Sequence, residues 1–337
     1  MSSDRVPPTM LILADPAHRD HNPDPDRGYP EIPGRVAAIR DSLSAGGFAI
    51  EEYHRTAPEV LRYIHPPEMF AYLEAFSAAI PKSATRYPEI HRISALPDPA
   101  RMGWPPGLVR GHCFDQTPLD TGTARAALAT ANLSVEGAER LLRGNLRVYC
   151  LCRPPGHHAG SDFFGGFCYL NNAALAAQRL CREGAVAILD IDYHHGNGTQ
   201  EIFYVRDDVF YASIHAHPGY AYPGFSGHAE EIGFGAGAGH NHNRPLGPGT
   251  GDGEFLPELS GALERITDFQ PEFLIVSLGT DIADSDPIAD WRVSAGGFSR
   301  AGKMIAGTAL PTLVIQEGGY SLSRIGGDVT AFLEGFR

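Results

Sequence analysis

Short runs of β-branched and apolar residues recur along the chain at 10–14, 147–152, 185–192, 209–215, 273–278 and 312–316, each of strand length and each bounded by glycine, proline or polar residues. Between several of them lie stretches with helical periodicity, such as 171–183 and 254–269. Strands alternating with helices predict an α/β protein with a parallel sheet covered on both faces. In such sheets the crossover helices occupy the faces, so chemistry collects beyond the carboxyl ends of the strands. No Ser- or Pro-rich linker and no internal repeat divides the 337 residues, which predicts a single domain over 1–337. Two stretches break the alternation: 81–118, rich in Pro, Arg and His and read as a long loop insertion, and 216–253, dense in Gly, Pro and aromatics.

Charge and composition narrow the function. Lys and Arg total 27 against 40 Asp and Glu, a net charge of −13. Such a surface repels nucleic acid and anionic membranes and favours small cationic molecules or basic peptides. No apolar run reaches the roughly 18 residues of a membrane span, and residues 1–9 hold no secretory apolar core; the expectation is a cytoplasmic protein. The five cysteines, Cys113, Cys150, Cys152, Cys168 and Cys181, lack the spacing of a thiolate zinc site or a disulfide framework and read as buried reduced thiols. Fifteen histidines, several adjacent to one another or to carboxylates, point instead to a metal site built from His and Asp.

Three strand ends carry that chemistry. The run Asp190-Ile191-Asp192-Tyr193-His194-His195-Gly196-Asn197 closes an apolar strand, and strand alternation would aim Asp190, Asp192 and His194 the same way. Buried carboxylates require a compensating cation, and a divalent metal held by Asp192 and His194 meets that need. The strand 273–278 ends in Gly-Thr-Asp281, which makes Asp281 the third ligand ahead of Asp284, Asp286 and Asp290. Three protein ligands leave a position open, as in a catalytic zinc site; the oxygen-rich set would also accept cobalt, iron or manganese. Arg153-Pro154-Pro155-Gly156-His157-His158 places two histidines on a stiff turn, available as acid and base. Glu317-Gly318-Gly319-Tyr320 turns a phenol toward the same rim, where it could stabilise an oxyanion. Together these residues predict metal-assisted hydrolysis of a carbonyl compound, with no serine or cysteine nucleophile.

At this point the sequence resembles the histone deacetylase superfamily, on Arg-Pro-Pro-Gly-His-His at 153–158, Gly-Gly-Phe-Cys-Tyr-Leu-Asn-Asn at 165–172, Asp-Ile-Asp-Tyr-His-His-Gly-Asn-Gly-Thr-Gln at 190–200, Pro-Leu-Gly-Pro-Gly-Thr-Gly-Asp at 245–252 and Glu-Gly-Gly-Tyr at 317–320, with a shorter match at Ile32-Pro33-Gly34-Arg35. It is most similar to the bacterial acetylpolyamine amidohydrolases. The resemblance implies an arginase/deacetylase fold with an eight-stranded parallel sheet. It implies one catalytic Zn2+ on Asp192, His194 and Asp281, His158 as general base, His157 as second histidine supported by Asp190, Asn197 as partner of His158, and Tyr320 as catalytic tyrosine. It further implies a substrate tunnel with Phe167 and Tyr222 as walls and Gly166 on its floor, a structural K+ on Asp190, Asp192, His194 and Ser213, and Arg35 behind the metal where acetate is released.

Several positions bear on the substrate. Asparagine at 197 supports an imidazolium less strongly than a carboxylate would. Ile288 stands where one polyamine-selective eukaryotic branch carries a gatekeeping glutamate, and residues 107–111 hold no acidic counterpart of a bacterial polyamine contact. Glu89, Asp98, Asp115 and Asp120, in or beside the first long loop, could face a cation, but their ordinary reading is solvent exposure. The expected substrate is a small cationic acylated amine, acetylpolyamines ahead of acetyl-lysine peptides. An arginase-like ureohydrolase would need a further Asp-x-His-x-Asp set, which is missing, and an inactive binding homologue would lack Tyr320, His158 or a ligand, all of which are present. The loop 81–118 is expected to form a homodimer contact that narrows the entrance.

Overall fold

The structure, a computed structural model, describes residues 10–23, 28–82, 84–88 and 112–337. Residues 1–9 and most of the expected loop insertion, with Glu89, Asp98 and 107–111, lie outside the described residues. Eight strands form one sheet in the order β2-β1-β3-β8-β7-β4-β5-β6, every pair parallel. They are β1 (Leu11–Ala14), β2 (Ile50–Glu52), β3 (Arg147–Leu151), β4 (Val186–Asp190), β5 (Val209–Ala216), β6 (Asn241–Leu246), β7 (Phe273–Leu278) and β8 (Thr312–Gln316). Six of these are the runs read from the sequence. The other two are the edges: β2 has three residues, two of them Glu and exposed, and β6 (NHNRPL) is polar. An edge strand pairs on one side only and is half solvated, so it carries no apolar run by which to recognise it.

Alternation along the inner strands builds two cores. Ile12, Ala187, Leu189, Leu274, Val276 and Val314 face one side, where they meet α1 (Gly34–Ala45), α6 (Asp252–Phe269), α7 (Ala295–Ala306) and α8 (Ile325–Glu334). Leu13, Val186, Ile188, Ile275, Leu313 and Ile315 face the other, against α3 (Thr123–Leu142), α4 (Asn172–Leu180) and Phe203 of α5 (Asn197–Phe203). A third cluster joins α2 (Pro67–Ala79) to α3 and to Phe164 and Tyr169. Chain leaving β3 and β4 goes to the face of α4 and α5, whereas chain leaving β8 and β7 goes to the face of α8 and α7. The sheet neighbours β3 and β8, and likewise β7 and β4, therefore part company at their carboxyl ends. Such divergence opens a crevice where ligands bind in open α/β sheets. All of the predicted catalytic and metal residues follow one of these four strands.

Candidate active site

β4 ends at Asp190, so residues 191–196 leave the sheet and strand alternation does not govern them. Asp192 and His194 nonetheless converge, because the loop turns over its own carboxylates: Asp192 Oδ1 accepts from His194 N at 2.9 Å and Asp190 Oδ1 from Asp192 N at 3.2 Å. Asp281, just past β7, joins them. His194 Nδ1 lies 3.1 Å from Asp281 Oδ2 and 3.3 Å from Asp192 Oδ1. Donor atoms of the three side chains all fall within 4.8 Å of one another, and both aspartates are fully buried. Two glycines make room: a Cβ on Gly279 would sit 2.3 Å from Asp192 Oδ2, and one on Gly318 2.4 Å from Asp281 Oδ2.

This donor set fits a divalent cation. Burial, then the Asp192 charge, pushes the Asp281 carboxyl up from its ordinary range. Two carboxylates crowded in a dry site are costly without a cation between them. Oxygen and imidazole donors suit zinc among other first-row metals.

The two histidines follow β3 and are held differently. His158 Nδ1 donates to Asn197 Oδ1 at 2.7 Å, which leaves its Nε2 as the free lone pair. Burial first, then the neighbouring His157 and His194, holds the His158 imidazole well below the ordinary histidine range, so it is neutral at pH 7. His157 Nδ1 donates to Asp190 Oδ2 at 3.1 Å, which also accepts from Tyr211 OH at 3.0 Å. Burial alone would lower His157, but Asp192 and Asp190 outweigh it and raise the ring to about 10. Environment thus separates two adjacent imidazoles into one free base and one held cation.

Tyr320 completes the rim. Its ring stands 4.8 Å from the Arg35 guanidinium and 5.8 Å from the Phe167 ring. Arg35 is itself buried and bonded, from Nε to Gly319 O and from Nη2 to Glu317 O, each at 2.6 Å, and from Nη1 to Glu31 Oε1 at 2.7 Å. A cavity of about 330 Å3 opens from this floor, and Gly166, Phe167, Tyr222 and Ile288 line it together with His158, His194 and Tyr320. Gly166 adopts φ +56°, and a Cβ there would meet His158 Cδ2 at 2.3 Å, so the floor of the cavity requires glycine. Phe167 also has positive φ, +66°, a conformation maintained where surrounding structure demands it. Ser213 pairs in register with Asp190 across β4 and β5, and its Oγ bonds His215 Nδ1 at 2.8 Å.

Asp115 belongs to this cavity, contrary to its reading as solvent-exposed. Its Oδ2 accepts from Tyr222 OH at 2.8 Å and from Gly166 N at 2.7 Å, fixing one wall and the floor together. Asp120 is buried too, accepting from Asn22 N and Gly122 N. Nothing in the sequence marks either one, since Gly166 and Tyr222, which hold Asp115, and Asn22, which holds Asp120, come from distant segments.

Glu317 and Asp286 were likewise missed as structural carboxylates. Glu317 Oε2 accepts from Gly156 N at 2.6 Å and His157 N at 3.2 Å, and its Oε1 accepts from Ser277 Oγ at 3.2 Å. His157, Cys168 and Glu317 also lie within metal-ligand reach of one another. Each is already engaged, Cys168 Sγ with Gly166 O, so this second group reads as scaffolding of the histidine turn. Of the other aspartates, Asp290 accepts from Tyr193 OH at 2.9 Å and Asp284 is exposed. All five cysteines are free and only Cys181 is not fully buried, as expected. A larger cleft of about 610 Å3, against α3 and α4, is lined by four arginines balanced by four glutamates and contains no histidine.

A parallel sheet whose strand tips bring Asp, His and Asp together beside two differently held imidazoles and a tyrosine is the architecture of an α/β-class enzyme with a candidate metal position. The chain belongs to the histone deacetylase domain family, which it matches over residues 29–336. It is 47% identical over 222 residues to an acetylpolyamine amidohydrolase of Mycoplana ramosa, an alignment that covers 65% of each chain and thus slightly under two thirds of that relative. With an acetylpolyamine amidohydrolase of Burkholderia pseudomallei it shares 37% identity over 319 residues, 91% of each chain. The crystal structure of acetylpolyamine aminohydrolase from Burkholderia pseudomallei superposes with a TM-score of 0.88 at 35% identity, covering 97% of this chain and 98% of that one. The eight-stranded deacetylase fold expected from the motifs is thereby shown. Among the described residues no helix is long and apolar enough to cross a membrane.

Proposed function

We propose that this chain is a zinc-dependent amidohydrolase that removes acetyl or other short acyl groups from acylated primary amines, with acetylpolyamines ahead of acetyl-lysine peptides. The observation that carries the reading is the separation of His158 from His157 beside the Asp192, His194 and Asp281 group, at the floor of a narrow cavity. A divalent cation on those three residues would supply Lewis acidity toward a carbonyl oxygen and toward water. The neutral His158, its proton kept on Nδ1 by Asn197, takes a proton at Nε2 from the attacking water and returns it to the leaving amine. His157, held charged against burial by Asp192 and by Asp190, to which it donates, adds positive charge to a floor that carries buried carboxylates. Tyr320 donates its phenol proton in a hydrogen bond to the carbonyl oxygen as that oxygen gains charge. Phe167, Tyr222 and the rest of the lining exclude water from the acyl amide.

The substrate class rests on the names of the relatives and on charge. Asp115 is the one carboxylate among the described residues lining the cavity, whose exposed lining residues are Gln116 and Ile288. With a protein charge of −13 the field favours a cation entering from solvent. Acetylputrescine and acetylspermidine should be cleaved by the zinc-loaded protein with kcat/KM about tenfold or more above that for an acetyl-lysine peptide. Equal or reversed preference would move the reading to a protein deacetylase, and no release of acetate from any of the three would end it.

Five further assignments belong to the same reading. The chain is one domain and works in the cytoplasm. A structural K+ lies among Asp190, Asp192, His194 and Ser213, and elemental analysis of the purified protein should show it beside one zinc per chain. Arg35, a buried cation against the Tyr320 ring, receives the released acetate. Finally, the protein is a homodimer, so light scattering should give twice the 36.3 kDa chain mass; a monomer mass would remove that assignment.

A further inference from the structure

β8 stops at Gln316, and residues 317–320 that carry Tyr320 to the rim have no helix or strand of their own. Gly318 and Gly319, the latter at φ +111°, make this link sharply bent, and nothing intrinsic to it fixes where the phenol stands. The fixing comes from outside. On one side Arg35 donates to the carbonyls of Glu317 and Gly319, each at 2.6 Å. On the other, Asp286 Oδ2 accepts from Tyr320 N at 2.6 Å and from Ser321 N at 3.2 Å. The second oxygen of that carboxylate, Oδ1, accepts from Ile288 N at 3.1 Å. Asp286 is 6% exposed, so these amides have little water with which to replace it.

We propose that Asp286 is the positioning residue for Tyr320. It lies in the loop that starts with Asp281, and by taking two backbone N–H groups onto one oxygen it ties the tyrosine turn to the loop that bears a metal-binding residue. Through its other oxygen it ties both to Ile288 at the cavity mouth. It touches neither substrate nor metal and acts through the placement of the phenol alone. A carboxylate suits the task because charge-assisted hydrogen bonds to N–H are shorter and stronger than neutral ones, and three donors converge on it. The proposal rests on the hydrolase reading above for the role of Tyr320, but its structural half is independent of activity.

Two measurements test it. In Asp286→Ala the backbone amides of Tyr320 and Ser321 lose their acceptor, so hydrogen exchange of a peptide spanning 317–324 should accelerate over the wild type, with Asp286→Asn, which keeps one acceptor oxygen, in between. In turnover of an acetylated amine, Asp286→Ala should lower kcat by about 10- to 100-fold, the scale of an ångström-sized misplacement, while KM changes by less than about threefold and zinc content stays at one per chain. Asp286→Asn should restore most of the loss. In a Tyr320→Phe background, Asp286→Ala should cost less than about threefold more, since the group it positions is already gone. A general structural role would instead multiply the same factor in both backgrounds, and that result, or unchanged exchange at 320 and 321, overturns the proposal. Should Asp286→Ala fail to fold, the exchange is read on Asp286→Asn, where exchange at 320 and 321 unchanged from the wild type overturns it. If wild-type protein hydrolyses no acetylated amine, the hydrolase reading falls and the exchange data still decide the clamp.

Discussion

Asp281→Ala should emerge from purification without stoichiometric zinc and turn over acetylated amines at least about 10³-fold more slowly than the wild type, because a metal held by Asp192, His194 and Asp281 would supply both carbonyl polarisation and water activation. Asp281 is fully buried, and its Oδ2 faces His194 Nδ1 at 3.1 Å, with Asp192 Oδ1 3.3 Å from the same nitrogen. Removing it leaves one carboxylate and one imidazole, too few to hold a cation against water. The same change has a second, opposite consequence in metal-free protein. There Asp192 and Asp281 crowd each other, and the Asp281 carboxyl is raised by burial first and by Asp192 next. Taking one charge away relieves that repulsion, so metal-free Asp281→Ala should melt no lower than metal-free wild type, while zinc should raise the melting midpoint of the wild type alone. Metal content by elemental analysis, rates with added zinc and melting curves with and without chelator read all three. A variant that retains one tightly bound zinc and wild-type rate would show that Asp281 is no ligand.

How much of this was legible in sequence depends on how far each contact reaches. The inner strands are apolar on both faces, so their pattern is local and could be read directly. Strands β2 and β6 are polar edges whose pairing is decided by neighbours outside their own sequence. Asp192, His194 and Asp281 could be picked out because each lies just past an apolar strand, and a strand end in a parallel sheet is a place as well as a residue type. Asp286 and Asp115 were not. Their work is to accept backbone and hydroxyl protons from segments 34 and 51 or more residues away, and an aspartate that does so has the same sequence surroundings as one in a solvated turn. Glu317 shows the intermediate case: its place after β8 was visible, but the partners, Gly156 and His157, lie 160 residues earlier or more. Residues that hold other residues in place through partners distant in sequence are the part of a site that local pattern does not reach.

His158→Ala and Tyr320→Phe should both retain zinc and both lose most turnover, by different routes. Without His158 no group takes a proton from water at Nε2 or returns one to the amine, and loss of positioned acid–base catalysis is worth about 10²–10⁴ in kcat. Without the Tyr320 hydroxyl one oxyanion donor is gone, a loss of about 10²–10³. Neither side chain is in the Asp192, His194 and Asp281 group, so the metal should remain in both. The pH profile separates them. In wild type, kcat/KM rises with pH as His158 loses its ring proton and becomes a base. Burial first, and then the neighbouring His157, drives that loss to lower pH, so the acid limb should lie below the ordinary histidine value of 6.5. A metal cation beside the ring pushes in the same direction. Tyr320→Phe keeps this limb at reduced height, since the base is untouched, whereas His158→Ala should lose it and respond to added imidazole. An acid limb at or above 6.5 in wild type, or the same limb surviving in His158→Ala, would mean that the proton is moved by some other group and that the pairing of His158 with Asn197 serves only to hold the turn.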